Sequence, residues 1–214
     1  MACLAVVGAS GRTGIEVLRA AAAAGHQVIA ICRDPAKLSD LALDIEVRKA
    51  DVLDAASMVN VLDSADAVIS ALGPDDGRRP SEVCSQGMRT IVRQMRLAGV
   101  RRVVAVSAVP VSAPSEKTVF ERLVLHPILW RFFGESYRDL RLMESEMAAA
   151  EDIEWAVVRP PLLTDDTADH AVRMSWNEPL RGVRKISRRL LGQTLVETAT
   201  AEPFTSGILT VTQA

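Results

Sequence analysis

Short apolar runs alternate with longer amphipathic segments along most of the chain. The apolar runs have the length of strands, and Gly, Pro, Asp or Ser residues flank several of them, which is typical of strands buried on both faces of a parallel sheet. They predict seven strands: Leu4–Val7, Gln27–Cys32, Ile45–Ala50, Ala67–Ser70, Arg102–Val106, Glu154–Arg159 and Gly207–Thr212.

The segments between these strands predict helices with recognisable ends. One runs from Ile15 to about Ala24 before Gly25, one from a cap at Asp54 to about Asp63, one from Pro80 to Gly99, and one within the tail, Leu191–Ala214. Alternating strands and helices favour an α/β fold, a Rossmann-type doubly wound parallel sheet with helices on both faces. Such sheets bind ligands at the carboxyl ends of their strands, where the strand order reverses.

Three glycines at every third position follow the first strand directly. Gly8 permits a sharp turn, Gly11 allows the backbone to approach a pyrophosphate, and Gly14 lets the next helix pack near the sheet. The start of that helix offers free N–H groups to phosphates. This turn predicts a dinucleotide site formed by Gly8, Ser10, Gly11, Arg12, Thr13 and Gly14.

The end of the second strand indicates which dinucleotide is preferred. An NAD site usually has a carboxylate there, bonded to the adenine ribose. Here Cys32 is followed by Arg33, whose guanidinium suits a 2′-phosphate, and Arg12 could approach the same phosphate. Asp34 precedes Pro35 and is expected to cap a short helix. We therefore predict NADPH/NADP+ as the cofactor; the alternative is that Arg33 is a solvated loop residue.

Composition limits the remaining possibilities. The chain has 214 residues, a net charge of −2 and 4% aromatic residues, which favours one NAD(P)-binding domain over residues 1–214 and neither nucleic acid nor a membrane as partner. The basic cluster Arg181–Arg189 is expected to be a solvated helix start with its approach loop. Neither the three cysteines nor the three histidines have metal-ligand spacing, so no metal site is predicted. We expect a cytoplasmic monomer or homodimer.

The chain resembles the atypical short-chain dehydrogenase/reductase group, including the NmrA-like proteins and the biliverdin reductase B/flavin reductase relatives. The matching motifs occur along the chain in the same order as in the family. The resemblance is carried by the glycine turn, Arg33-Asp34-Pro35, and weaker matches up to about residue 165. It implies adenine contacts from Asp51 and Val52, and a position beside the nicotinamide for Ser107. It also implies that two short segments line the nicotinamide side: Ala71, Leu72 and Gly73, and Pro160, Pro161 and Leu162.

The chain departs from the wider superfamily at the proton donor. The usual pair is Tyr-x-x-x-Lys, whereas Tyr137 is followed four residues later by Arg141. Arg141 could direct its charge toward the phenol, but an arginine does not relay protons. Spacing from Arg159 places Leu142, Met143 and Glu146 nearer the usual active position. Tyr137 stays a candidate acid, and Ser107 a candidate donor to a substrate carbonyl.

Two segments bear on the substrate. Residues 109–138 hold most of the aromatic side chains and could form a lid over an apolar pocket, a dimer interface or a core helix, and residues 160–214 form the substrate-side part. The favoured function is NADPH-dependent hydride transfer to a small-molecule acceptor: a flat or apolar carbonyl, quinone, flavin or tetrapyrrole-like compound. The alternatives are a non-catalytic NADP(H)-sensing regulator and a redox-neutral isomerase or cyclase.

Overall fold

A computed structural model describes residues 1–73, 82–112 and 126–214, with only the backbone described for 126–129. The described strands are β1 (Cys3–Val7), β2 (Gln27–Cys32), β3 (Glu46–Lys49), β4 (Ala67–Ser70), β5 (Arg102–Val106), β6 (Glu154–Arg159), β7 (Leu162–Thr164), β8 (Val172–Trp176), β9 (Lys185–Ser187) and β10 (Gly207–Gln213). The described α-helices are α1 (Arg12–Ala23), α2 (Val83–Ala98), α3 (His126–Ala148) and α4 (Arg188–Thr200). Strands and helices alternate in parts of the described chain, while β3 leads to β4 and β6 to β9 follow one another without a helix between them.

Eight of the described strands form one sheet in the order β3-β2-β1-β4-β5-β6-β10-β8. All neighbours are parallel except β8, which runs antiparallel to β10 at the edge. Strands β7 and β9 pair separately and in parallel. The strand order reverses between β1 and β4, so a crevice opens at their carboxyl ends. The prediction of a Rossmann-type doubly wound sheet is confirmed.

The sheet separates two apolar cores, and β1 contributes to both. Leu4 and Val6 lie in the core under α1 and α4, whereas Ala5 and Val7 lie in the core under α2 and α3. This alternation follows from the two-residue period of a strand, and burial of both faces explains why β1 reads as a continuous apolar run. The helices on both faces therefore fix where the carboxyl end of β1 lies.

The helix predicted from Asp54 to about Asp63 is wrong, because this segment forms consecutive turns. The Asp54 carboxylate accepts a hydrogen bond from the Ala56 amide at 3.0 Å, as a helix cap does, but the residues that follow do not continue into a helix. Asn60 has φ = 61° and Ser64 has φ = 70°, and a left-handed residue cannot continue a right-handed helix. Met58 and Leu62 are nevertheless buried, so these turns place two apolar side chains in the core.

Other helix ends differ from the predictions by short distances. Helix α1 begins at Arg12 rather than at Ile15, and α2 begins at Val83, with the predicted start at Pro80 outside the described residues. Gly99 ends α2 in the left-handed conformation, as predicted. Among the described helices, none combines the length and apolar character needed to span a membrane.

Candidate functional site

A cleft of about 620 Å³ opens at the carboxyl ends of β1, β2 and β4. It lies where the strand order reverses, and most of the site residues predicted from the sequence line it. These are Gly8, Ser10, Gly11, Arg12, Thr13, Arg33, Asp51, Val52, Ala71, Leu72 and Gly73. Gly14, Ser107, Pro160, Pro161 and Leu162 do not line it, although all five follow strands that end at the same edge of the sheet.

The turn after β1 has the tight geometry that its glycines predict. Gly8 has φ = +78°, and a Cβ atom there would lie 2.9 Å from the Ala71 carbonyl oxygen. At Gly14, a Cβ atom would lie 2.8 Å from the Cα and oxygen atoms of Ala9. Gly8 therefore lets β1 turn against the exit of β4, and Gly14 lets α1 begin directly over the turn.

The first turn of α1 faces this cleft without a side-chain cap. Gly11 is the N-cap residue and has no side-chain oxygen, and its own amide donates to the Gly8 carbonyl at 3.0 Å. The first amides of a helix have no intrahelical acceptor, and the helix dipole makes them attractive to anions. The start of α1 is thus suited to a phosphate group.

The charged side chains around the cleft are mostly positive. Arg12, Arg33, Lys37 and Arg188 line it together with one carboxylate, Asp51. One oxygen of Asp51 accepts a hydrogen bond from the Leu53 amide at 3.0 Å, which holds this carboxylate in a local turn. The cleft therefore suits a ligand with several negative charges, such as a dinucleotide that carries an additional phosphate.

Arg33 precedes the short helix that follows β2, and Lys37 lies within that helix. This 3₁₀ helix (Pro35–Leu38) is capped by Asp34, whose carboxylate accepts a hydrogen bond from the Ala36 amide at 3.2 Å, as predicted. Its single turn brings Lys37 to the same cleft as Arg33. Two cations at the end of β2 replace the carboxylate that an NAD site usually has there.

Ser107 lies beyond β5, one strand away from the cleft-lining exit of β4. The strand register pairs Ser70 with Ala105, which places Ser107 level with Leu72. Ser107 is 5% exposed, and its hydroxyl donates to a carboxylate oxygen of Glu144 at 2.6 Å. A serine hydroxyl has one hydrogen, so donation to a substrate carbonyl would require this bond to be given up.

Glu144 belongs to a buried polar cluster that the sequence reasoning missed. Arg159 donates through Nε to Oε1 of Glu144 at 3.0 Å and through Nη2 to Oε2 at 2.7 Å. The two side chains are 8% and 13% exposed, and Arg159 also donates to the hydroxyl of Ser112 at 3.3 Å. The cluster ties α3 to the ends of β5 and β6.

One sequence signal could have located this cluster. Spacing from Arg159 pointed to the correct stretch of α3, where Met143 is buried and Glu146 forms an exposed pair with Arg89 at 2.8 Å. An arginine at the end of a buried strand needs a carboxylate partner. Glu144, between those two positions, is that partner.

Tyr137 lies on α3 two helical turns before Glu144, which is roughly 10 Å along the helix axis. Its ring packs at 5.7 Å from the ring of Trp130, and burial raises the pKa of its hydroxyl. Arg141, whose charge could be directed toward this phenol, contacts other groups. Arg141 stacks on the Trp130 ring at 4.5 Å and donates to the Val111 carbonyl at 3.2 Å.

The contact of Pro160–Leu162 with the nicotinamide stays a prediction, and the residue that follows them, Leu163, lines the cleft. Leu162 is 69% exposed, whereas Leu163 lines the cleft, because successive residues of β7 face opposite sides. Of the segment 109–138, residues 113–125 lie outside the described range, and the described part of α3 packs against α2. Within the described residues, no three His, Cys, Asp or Glu side chains form a group able to hold a metal ion.

A glycine turn at the switch point, a free helix start and a cationic cleft together define a dinucleotide-binding protein with a Rossmann-type fold. The sequence also matches a family model described as NAD(P)H-binding over residues 8–202. The chain therefore belongs to the NAD(P)H-binding family, as its resemblance to the atypical short-chain dehydrogenase/reductase group implied.

Solved structures show the same fold over nearly the whole chain. The oxidoreductase ylbE from Lactococcus lactis superposes with a TM-score of 0.84 at 16% identity, covering 99% of this chain and 91% of its own. An anaerobillin reductase from Escherichia coli O157:H7 superposes with a TM-score of 0.78 at 21% identity, covering 99% of this chain and 97% of its own. A short-chain dehydrogenase/reductase from Veillonella parvula, in complex with NADP, superposes with a TM-score of 0.74 at 15% identity, covering 99% of this chain and 94% of its own.

Proposed function

We propose that this protein is an NADPH-dependent reductase of a flat or apolar small molecule. The choice of NADPH as cofactor is supported by two cations, Arg33 and Lys37, which line the cleft of the glycine turn after the end of β2. The start of α1, with Arg12, would hold the pyrophosphate, and Asp51 and Val52 would border the adenine. When bound there, the reduced nicotinamide supplies a hydride, which is two electrons and one proton.

The acceptor class follows from the groups near the ends of β5 and β6. The Ser107 hydrogen is donated to Glu144, and an arginine-paired carboxylate does not supply a proton. The second proton would therefore come from water, which favours a flavin, quinone or tetrapyrrole-like acceptor over a simple carbonyl. The anaerobillin reductase among the structural neighbours gives a reason to include linear tetrapyrroles among the acceptors tested.

The direct test follows absorbance at 340 nm with NADPH and a panel of acceptors: FMN, riboflavin, small quinones, aromatic aldehydes and a linear tetrapyrrole. We expect loss of absorbance above the enzyme-free rate with at least one flat acceptor, and no loss in a Gly11→Asp variant. A flat trace with every acceptor, beside clear enhancement of nicotinamide fluorescence, would contradict the reductase proposal. That result would favour the NADP(H)-sensing regulator or a redox-neutral enzyme.

Cofactor preference provides a second test. Replacement of Arg33 by alanine removes a charge-assisted hydrogen bond, worth roughly 1.5–3 kcal/mol, so we expect NADPH affinity to fall roughly 10- to 100-fold. NADH affinity should change little, because NADH has no 2′-phosphate. Nicotinamide fluorescence titrations with NADPH and with NADH measure the ratio of the two affinities.

The matched control is Arg19→Ala, which removes an arginine from the α1 surface, where it pairs with Glu16 away from the cleft. This variant should keep the affinities of the parent protein. An unchanged NADPH-to-NADH ratio in Arg33→Ala would exclude Arg33 from the 2′-phosphate site.

A further inference from the structure

One carboxylate connects two arginines of the cofactor cleft. Asp165 follows β7, and one of its oxygens accepts a hydrogen bond from Arg188 Nη1 at 2.6 Å. Its other oxygen lies 3.7 Å from Nη1 of Arg12. Arg12 and Arg188 both line the cleft, beside the first turn of α1. An anion thus already lies between these two guanidinium groups, one from each end of the chain.

The fold fixes the position of Arg188 firmly. It is the first residue of α4, and the hydroxyl of Ser187 caps this helix by accepting from the Leu190 amide at 3.2 Å. Helix α4 packs directly on α1, where a Cβ atom at Gly192 would lie 2.8 Å from the Glu16 carbonyl oxygen. This close approach brings the starts of both helices to one place. The Arg188 side chain is 11% exposed, unlike the solvated cluster that its sequence context predicts.

The carboxylate is held far less firmly than the arginine. The Asp165 side chain is 69% exposed, and that of Arg12 is 75% exposed. An exposed ion pair contributes little, because water solvates both charges well. A pyrophosphate has more charge than one carboxylate and forms forked hydrogen bonds with guanidinium groups. It can therefore replace Asp165 between Arg12 and Arg188, while Asp165 turns to solvent.

We infer that Arg188 binds the pyrophosphate of the dinucleotide, and that Asp165 is a competing anion that weakens this binding. The inference rests on NADP(H) as the ligand of the cleft, but not on reductase activity. It assigns a phosphate-binding residue to the C-terminal part of the chain, far in sequence from the glycine turn. Arg12 and Arg188 act on the pyrophosphate, whereas Arg33 and Lys37 act on the 2′-phosphate.

The two residues should have opposite effects on affinity. Nicotinamide fluorescence titrations with NADPH and with NADH are made on each purified variant. Arg188→Ala should weaken both cofactors by roughly 10- to 100-fold, the range of a charge-assisted hydrogen bond. Asp165→Asn should tighten both about 2- to 5-fold, the range of an exposed ion pair. Both cofactors share the pyrophosphate, so neither variant should change the NADPH-to-NADH ratio.

Arg189→Ala is the matched control, since Arg189 is the next residue of α4, pairs with Asp169 and does not line the cleft. It should keep the parent affinities. The double variant Arg188→Ala/Asp165→Asn should gain less from the asparagine than the single variant does, because the two residues act on each other. Thermal unfolding of each variant checks that a loss of binding is not a loss of folding.

Each outcome decides the inference. Unchanged affinity in Arg188→Ala, or weaker binding in Asp165→Asn, would overturn it while the cofactor proposal stands. A fall in the NADPH-to-NADH affinity ratio in Arg188→Ala, like the one expected in Arg33→Ala, would also overturn it. That result would assign Arg188 to the 2′-phosphate. Failure of the parent protein to bind either cofactor would overturn the cofactor proposal as well. Binding without turnover would leave this inference intact and contradict only the reductase.

Discussion

Replacement of Gly14 by alanine should unfold or severely destabilise the protein. The added Cβ would lie 2.8 Å from the Cα and oxygen atoms of Ala9, which are backbone atoms that cannot rotate away. Overpacking a well-packed site costs about 1–3 kcal/mol, and more where the neighbours are fixed. We therefore expect a loss of at least about 3 kcal/mol in the free energy of unfolding, measured by urea titration, with loss of NADPH binding.

The control uses the same substitution at another helical glycine. Gly134 lies in α3, where a Cβ atom would contact Trp130 at an ordinary 3.6 Å. Alanine is favoured over glycine in a helix by about 1 kcal/mol, so Gly134→Ala should be neutral or stabilising. A Gly14→Ala protein as stable as its parent would mean that α1 can shift away from the turn, and would contradict the packing described above.

Replacement of Glu144 by glutamine should be the second most damaging of the changes considered. It removes the negative charge that forms a bidentate pair with the buried Arg159 guanidinium. Breaking a buried ion pair in this way costs about 3–5 kcal/mol. Both side chains are nearly inaccessible to water, so solvent cannot replace the lost carboxylate. We expect a lower urea midpoint with an unchanged slope, because the surface exposed on unfolding stays the same.

Two companion variants separate charge from packing. Glu146→Gln, two residues away, breaks an exposed pair with Arg89 and should cost no more than about 1 kcal/mol. Glu144→Leu combined with Arg159→Met removes both charges and should recover much of the stability, since apolar replacements of buried pairs are often neutral. Equal stability of Glu144→Gln and Glu146→Gln would show that Arg159 does not depend on Glu144.

Local pattern predicted the central strands well. Strands β2, β4, β5 and β6 have the bounds that their apolar runs predict, because strands buried on both faces leave an uninterrupted hydrophobic signal. Strands β7, β8 and β9 were not predicted. All three are short, and their sequences contain no such run; β7 and β9 form a separate pair, and β8 lies at the edge of the main sheet.

The residues of the candidate site also fall into those that the sequence predicted and those that it did not. The glycine turn, Arg33 and the exit of β4 were found in sequence because each lies directly after a strand, and the carboxyl ends of parallel strands meet at one edge. Lys37, Leu163 and Arg188 were missed as cleft residues. Their approach depends on a short helix after β2, on the side to which β7 turns and on the packing of α4 against α1.

The sequence by itself determined the class of this protein: an α/β fold with a dinucleotide turn and an arginine where an NAD site has a carboxylate. These features are local, because backbone conformation and strand burial act over a few residues. Only the tertiary structure decided the partners of the buried and clustered charges, namely Glu144 with Arg159 and Ser107, and Asp165 with Arg12 and Arg188. Those choices depend on helix packing between distant segments, which no local pattern records.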